Sequence, residues 1–150
     1  MLQPNPEYIK ELLELVSNSP FPRHMAMRLA SLDTDTAEVT LDTDRCHLQP
    51  YGNVHGGVLA TLIDTATFWA AFMRLPEDAG LVNVDLKLNY LKPVTEDRLV
   101  ATGRALRPGK TLSYAEASVY DESNDLVAHG TSTLMTLPGK GLKLKASKFQ

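Results

Sequence analysis

The sequence predicts an α+β domain in which an antiparallel sheet wraps one long apolar helix. Three observations carry this. Residues 56–73 are small or apolar, with no proline and no glycine after Gly57, which is the composition of a helix buried on most sides. Residues 81–91 alternate strictly between apolar and polar, the period of a half-buried strand. Further short strand-like runs, bounded by turn residues, stand on both sides of the long helix and favour sheet and helix segregated into layers.

The elements follow in order. An amphipathic helix is expected over about residues 6–18. Tyr8, Leu12, Leu13 and Val16 recur at helical spacing with Lys10, Glu11 and Glu14 between them, and Pro20 and Pro22 end the pattern. Met25 to Ser31 and Thr36 to Leu41 read as strands divided by Asp33-Thr34-Asp35. Gln49 to Asn53 is a loop, and Gly56 to Met73 is the central helix. In Leu81 to Leu91, the alternation predicts one apolar face of Val82, Val84, Leu86, Leu88 and Tyr90 and an opposite face of Asn83, Asp85, Lys87 and Asn89. Leu99 to Leu106 and Thr111 to Tyr120 are joined by Arg107-Pro108-Gly109-Lys110, whose Pro-Gly pair suits a type II turn. A last strand covers Leu126 to Met135. One domain over residues 1–150 is expected, with its core over about 25–137 and a lysine-rich, flexible tail over 139–150.

The bulk composition excludes several roles. The 150 residues fit one domain, and 43% hydrophobic with 22% charged is ordinary for a globular chain. A net charge of -3 supplies no basic field for nucleic acid. Cys46 is the single cysteine, so no intrachain disulfide forms, in keeping with a reducing compartment. No basic, apolar leader opens the chain and no stretch is long enough to span a bilayer, so a cytoplasmic protein without a membrane partner is expected.

The chemistry concentrates in Tyr51-Gly52-Asn53-Val54-His55-Gly56-Gly57 and the helix that follows. Between Arg45 and Arg74, Asp64 is the only Asp, Glu, Lys or Arg. A carboxylate in such surroundings is poorly solvated, which suits a general base or nucleophile. The other reading places Asp64 on a small polar face beside Thr61 and Thr65. His55-Gly56-Gly57 opens the helix, where unpaired N–H groups and the positive dipole end can hold an oxyanion, and glycine admits a ligand closely. The same residues also suit a plain tight turn. His55 can hydrogen-bond a carbonyl, act as an acid or serve the loop structurally. No metal is expected, since His24, His47, His55 and His129 lack zinc-motif spacing. Phe68, Trp69 and Phe72 can line an acyl or aryl pocket, although their helical spacing favours core. Serine-elbow, dinucleotide and Walker loops are absent.

His55-Gly56-Gly57 with Leu62-Ile63-Asp64-Thr65-Ala66, the carboxylate nine positions after the histidine, resembles the signature of hotdog-fold thioesterases of the phenylacetic-acid-degradation type. Val82 to Leu86, Asn89 to Val94 and Arg107 to Leu112 resemble the following strand and hairpin, so the likeness covers about Met25 to Leu137. The resemblance implies hydrolysis of alkyl or aryl acyl-CoA to free acid and CoA, with no cofactor beyond the CoA of the substrate. It implies a homodimer or a dimer of dimers, with His55 and Gly56 from one chain facing Asp64 of its partner. Two departures concern substrate preference and rate: Gln49 stands where many members have asparagine, and Asn83 where many have serine or threonine. The resemblance also implies Arg107, Gly109, Lys110 and Lys92 near the CoA phosphates, although turn lysines and arginines commonly serve solubility alone. Alternatives on the same fold are a noncatalytic acyl-CoA-binding protein and a thioesterase acting on carrier-protein thioesters. A hydratase is disfavoured, because no histidine follows Asp64 before His129.

Overall fold

The computed structural model describes residues 2–150. The elements are α1 (Pro6–Asn18), α2 (Pro20–His24), β1 (Met27–Asp33), β2 (Thr36–Asp42), a 3-10 turn (Arg45–His47), α3 (Gly56–Phe72), β3 (Gly80–Tyr90), β4 (Arg98–Arg107), β5 (Leu112–Tyr120) and β6 (Leu126–Leu137). The six strands form one antiparallel sheet in the order β1-β2-β4-β5-β6-β3. The sheet wraps α3, as the sequence predicts, and α3 touches all of its strands.

Local chemistry explains the element ends. Asn5 caps α1 by accepting the Glu7 N–H, and Tyr8, Leu12 and Val16 form its buried stripe. Pro20 does more than end α1: it is the first residue of α2, a position where its missing N–H costs nothing. β1 therefore starts two residues later than its composition implies. Along α3, Leu59, Leu62, Ile63, Ala66 and Ala70 are buried. The helix lies so close to β4 that a Cβ at Gly103 would stand 2.2 Å from the Ala66 carbonyl oxygen.

Three expectations are corrected. First, β3 does not keep one alternation throughout. A bulge between Asn83 and Asp85 leaves Val84 unpaired and shifts the phase. Directly opposed residues share a face, so Asn83, opposite the buried Leu134, points toward α3 together with Leu86 and Leu88, while Val82 opposes the exposed Met135. Second, the β4–β5 connection is not a type II turn, because Gly109 lacks the positive φ such a turn demands. Gly109 is needed for closeness instead: a Cβ there would stand 2.1 Å from the Leu112 carbonyl oxygen.

Third, the tail over 139–150 is a docked strap. Pro4 bridges Phe149, Glu11 accepts the Lys145 and Ala146 N–H groups, and Asn5 donates to the Ser147 carbonyl. Lys148 is fully buried, and its ammonium donates to the carbonyls of Phe72 at 2.8 Å and Leu75 at 2.9 Å. It also sits 4.0 Å from the centre of the Phe72 ring. A lysine at this place satisfies orphan carbonyls and the negative end of the α3 dipole together.

Lys148→Ala leaves those carbonyls without their donor and is expected to destabilise the fold by about 1–3 kcal/mol, read by thermal or urea unfolding. Burial pushes the Lys148 ammonium down to about 8 from 10.5, with Glu77 opposing the shift. Between those values the unfolded chain binds the extra proton, so this residue makes stability rise with pH across that window. Wild type should show that gain and Lys148→Ala should lack it; equal slopes in the two proteins would remove Lys148 as its source.

Candidate active site

The loop before α3 is held from behind by a buried histidine. His47 Nδ1 accepts the Asp44 N–H at 2.8 Å and its Nε2 donates to the Met25 carbonyl at 2.7 Å, an assignment that follows from the acceptor on one side and the amide on the other. The His47 carbonyl then takes the His55 N–H at 2.8 Å, and the Val54 N–H reaches the Val94 carbonyl at 2.6 Å. His55 is thereby fixed as the N-cap of α3, its Nδ1 accepting the Gly57 N–H at 2.8 Å. With Nδ1 used as acceptor, the neutral ring carries its proton on Nε2, and the exposed side chain offers that N–H outward. The Gly56 N–H, first amide of the helix, has no acceptor among the described residues. One open donor therefore stands at the positive end of the α3 dipole.

Asp64 lies on the same helix, half-buried, with no ion pair or hydrogen bond to its carboxylate among the described residues. Burial raises its carboxyl above the usual aspartate range. The neighbouring hydroxyls do not relieve it: Thr61 donates to the Gly57 carbonyl at 2.8 Å and Thr65 to the Thr61 carbonyl at 2.7 Å. Eight residues of helix separate Gly56 from Asp64, about 12 Å along the axis. Phe68 follows Asp64 by one turn and is half-buried with Trp69, their ring centres 4.8 Å apart, whereas Phe72 is fully in the core.

The remaining expected residues divide. Gln49 Oε1 accepts the Tyr51 N–H and closes its own loop, which leaves its NH2 as a donor. Asn83 donates to Ser132 Oγ at 3.0 Å, and Ser132 in turn donates to the Asp85 carbonyl at 2.8 Å, so the Asn83 amide is engaged with β6 rather than with Asp64. The Lys92 ammonium is engaged within the chain, held by Asp121 at 2.6 Å and Asp125 at 2.7 Å, which raise its pKa further. Gly109 and Lys110 line a cavity of about 520 Å³ with Leu75 and Pro76, beyond the C-terminal end of α3. Lys92 belongs to the other end, beside the Val54–Val94 contact, and α3 is about 25 Å long. The four residues assigned to CoA phosphates thus stand at opposite ends of the helix. Arg107 and Lys110 have no ion-pair partner among the described residues.

Sequence reasoning missed the buttress His47, the buried Ser132 and Tyr90, whose ring rests on Gly56. The only signal for Tyr90 was its inward phase at the end of the alternating strand. His47 has a local signal in its capping pair with Asp44 three residues earlier, but its Met25 contact is 22 residues away, and nothing local marks Ser132, whose acceptor is 47 residues away.

A long helix wrapped by an antiparallel sheet is the architecture of a hotdog domain, and here it carries an open amide at its start and a lone acid two turns on. The family model "Thioesterase superfamily" matches residues 51–128, just over half of the chain, and the chain belongs to that family of thioester hydrolases. It is similar to the crystal structure of a Haemophilus influenzae thioesterase, with 26% identity, a TM-score of 0.83 and coverage of 97% of this chain and 100% of that one. It is also similar to the mouse protein acyl-coenzyme A thioesterase 13, 27% identical over 129 residues, 83% of this chain and 91% of that protein. The PaaI protein of the Escherichia coli phenylacetic acid degradation operon shares the fold, with 21% identity, a TM-score of 0.78 and coverage of 89% and 95%.

The raised Asp64 carboxyl has a consequence for stability. The folded state keeps this proton to higher pH than the unfolded chain, so ionising Asp64 weakens the fold as pH rises through that interval. Asp64→Asn removes the cost, and its unfolding temperature at pH 7 is expected to equal or exceed that of wild type. A clear loss of stability would make Asp64 a structural anion.

Proposed function

We propose that the protein hydrolyses acyl-CoA thioesters to the free acid and CoA, at sites shared between two copies of the chain and without a separate cofactor. The observation that carries this reading is the pairing of an unpartnered, half-buried Asp64 with an open Gly56 amide about 12 Å away on the same helix. That distance is too long for one chain to bring both to one thioester. A second copy of α3 running the other way supplies the missing half of each site. β3 supports such pairing: it is hydrogen-bonded on one side only and leaves Val82 39% and Val84 58% exposed.

In this reading the thioester carbonyl oxygen accepts the Gly56 N–H, with His55 Nε2–H beside it. Asp64 of the facing chain takes a proton from water as the water oxygen bonds to the carbonyl carbon. The carbonyl π electrons move to oxygen, and the charge forms at the helix N-terminus, where the amide and dipole stabilise it. Collapse restores the carbonyl, breaks the carbon–sulfur bond and expels the CoA thiolate, which takes up the proton. Direct attack by the Asp64 carboxylate, through a mixed anhydride that water then opens, places charge on the same oxygen. The half-buried Phe68 and Trp69, one turn beyond Asp64, are large apolar side chains placed to receive the acyl group.

Thiol release from short, medium, long and aryl acyl-CoAs tests the reading. Wild type should hydrolyse at least one class, and Asp64→Asn should lose about 10²–10⁴ in kcat. An unchanged rate in the variant would remove Asp64 from the chemistry. A second test addresses the shared site. His55→Ala and Asp64→Asn subunits, each inactive alone, should regain activity when mixed, because one site of each mixed dimer then holds both intact groups. Isolated mixed dimers that stay inactive would place each site within one chain.

A further inference from the structure

An oxyanion is held best by several donors, and the proposed site so far has the Gly56 amide with His55 Nε2–H beside it. Tyr90, the last residue of β3, stands beside it. It opposes Ala128, which is fully buried, so its side chain lies on the α3 side of the sheet. A Cβ at Gly56 would stand 2.9 Å from Tyr90 Cζ and 3.0 Å from both Cε1 and Oη. The phenol end of the ring therefore rests on the first residue of the helix. The side chain is still 58% exposed, and its hydroxyl has no partner among the described residues. The exposed hydroxyl is therefore open to a ligand as well as to water. Two donors without protein partners, an amide N–H and a phenol O–H, thus belong to residues in contact at the start of α3.

Resting on the thioesterase reading, we propose that Tyr90 contacts the substrate, its hydroxyl donating a further hydrogen bond to the thioester oxygen held by the Gly56 N–H. Gly56 then has two roles. Its amide donates, and its missing side chain lets the phenol approach. A donor placed beside the developing charge acts more strongly on the oxyanion than on the ground-state carbonyl, so its loss falls on kcat rather than on KM. Phenylalanine keeps the ring and removes only the donor.

The test compares wild type, Tyr90→Phe and Tyr90→Ala on the best acyl-CoA for wild type, with unfolding temperature measured alongside. Tyr90→Phe should keep its unfolding temperature and a KM within about twofold of wild type while kcat falls about tenfold or more. Tyr90→Ala, which also removes the wall, should lose kcat and raise KM. An active wild type with unchanged kcat in Tyr90→Phe overturns this proposal alone. Wild type that releases no thiol from any acyl-CoA overturns the thioesterase reading and this proposal with it.

Discussion

The structure depends on how closely α3 can approach the sheet. At Gly103 the helix backbone itself fills the space that a side chain would take, with the Ala66 carbonyl 2.2 Å from where a Cβ would be. Ala66 and Ala70 on the helix, and Ala101, Ala115 and Ala117 on the strands, keep that approach short, and all of them are buried. Interiors packed at this density fix position as well as stability, because few alternative arrangements fill the same space. With α3 fixed across the sheet, both of its ends become defined points. His47 and His55 set the first, and Lys148 sets the second.

The two ends are treated differently. At the C-terminus a buried ammonium engages the carbonyls of Phe72 and Leu75. At the N-terminus His55 satisfies Gly57 and leaves the Gly56 amide open. Complete capping would stabilise the helix further, and it would remove the donor on which the proposed chemistry depends. The same tension governs Asp64, whose carboxylate gains nothing from its own chain and is held half out of water. An unused donor and an unpaired acid on one helix are two local costs that the proposed site would account for.

Much of this was legible in the sequence because its signals are local. A helix with one charge between residues 45 and 74, a strand of regular alternation and a histidine-glycine start are patterns within a few residues, and they set the fold class and the position of the open amide. What escaped is set by contacts distant along the chain. The bulge at Val84 depends on the register with β6, and it turns Asn83 toward the helix. Lys92 reads as a free cation until the turn 29 to 33 residues later supplies Asp121 and Asp125. The tail looks unstructured by composition, yet Lys148 finds carbonyls more than 70 residues earlier. Tyr90 joins the site for the same reason: β3 ends where α3 begins, and only the folded chain places a phenol on Gly56.

A site shared between two chains, as proposed, would also explain why the acid and the donor can be spaced as they are. Within one chain, Asp64 is removed from the positive end of its own helix by two turns, so the dipole does little to hold its proton off. Covering the stripe of α3 that carries Asp64, Phe68 and Trp69 with a second copy would take more water from the carboxylate and raise its proton affinity, which favours a base over an inert anion. The same event would bring the facing Gly56 amide near, and the positive end of that helix would keep the acid from being trapped in the protonated form. Association would thus adjust the base and complete the oxyanion site in one step, and an unassociated chain would hold each half in a form unable to act.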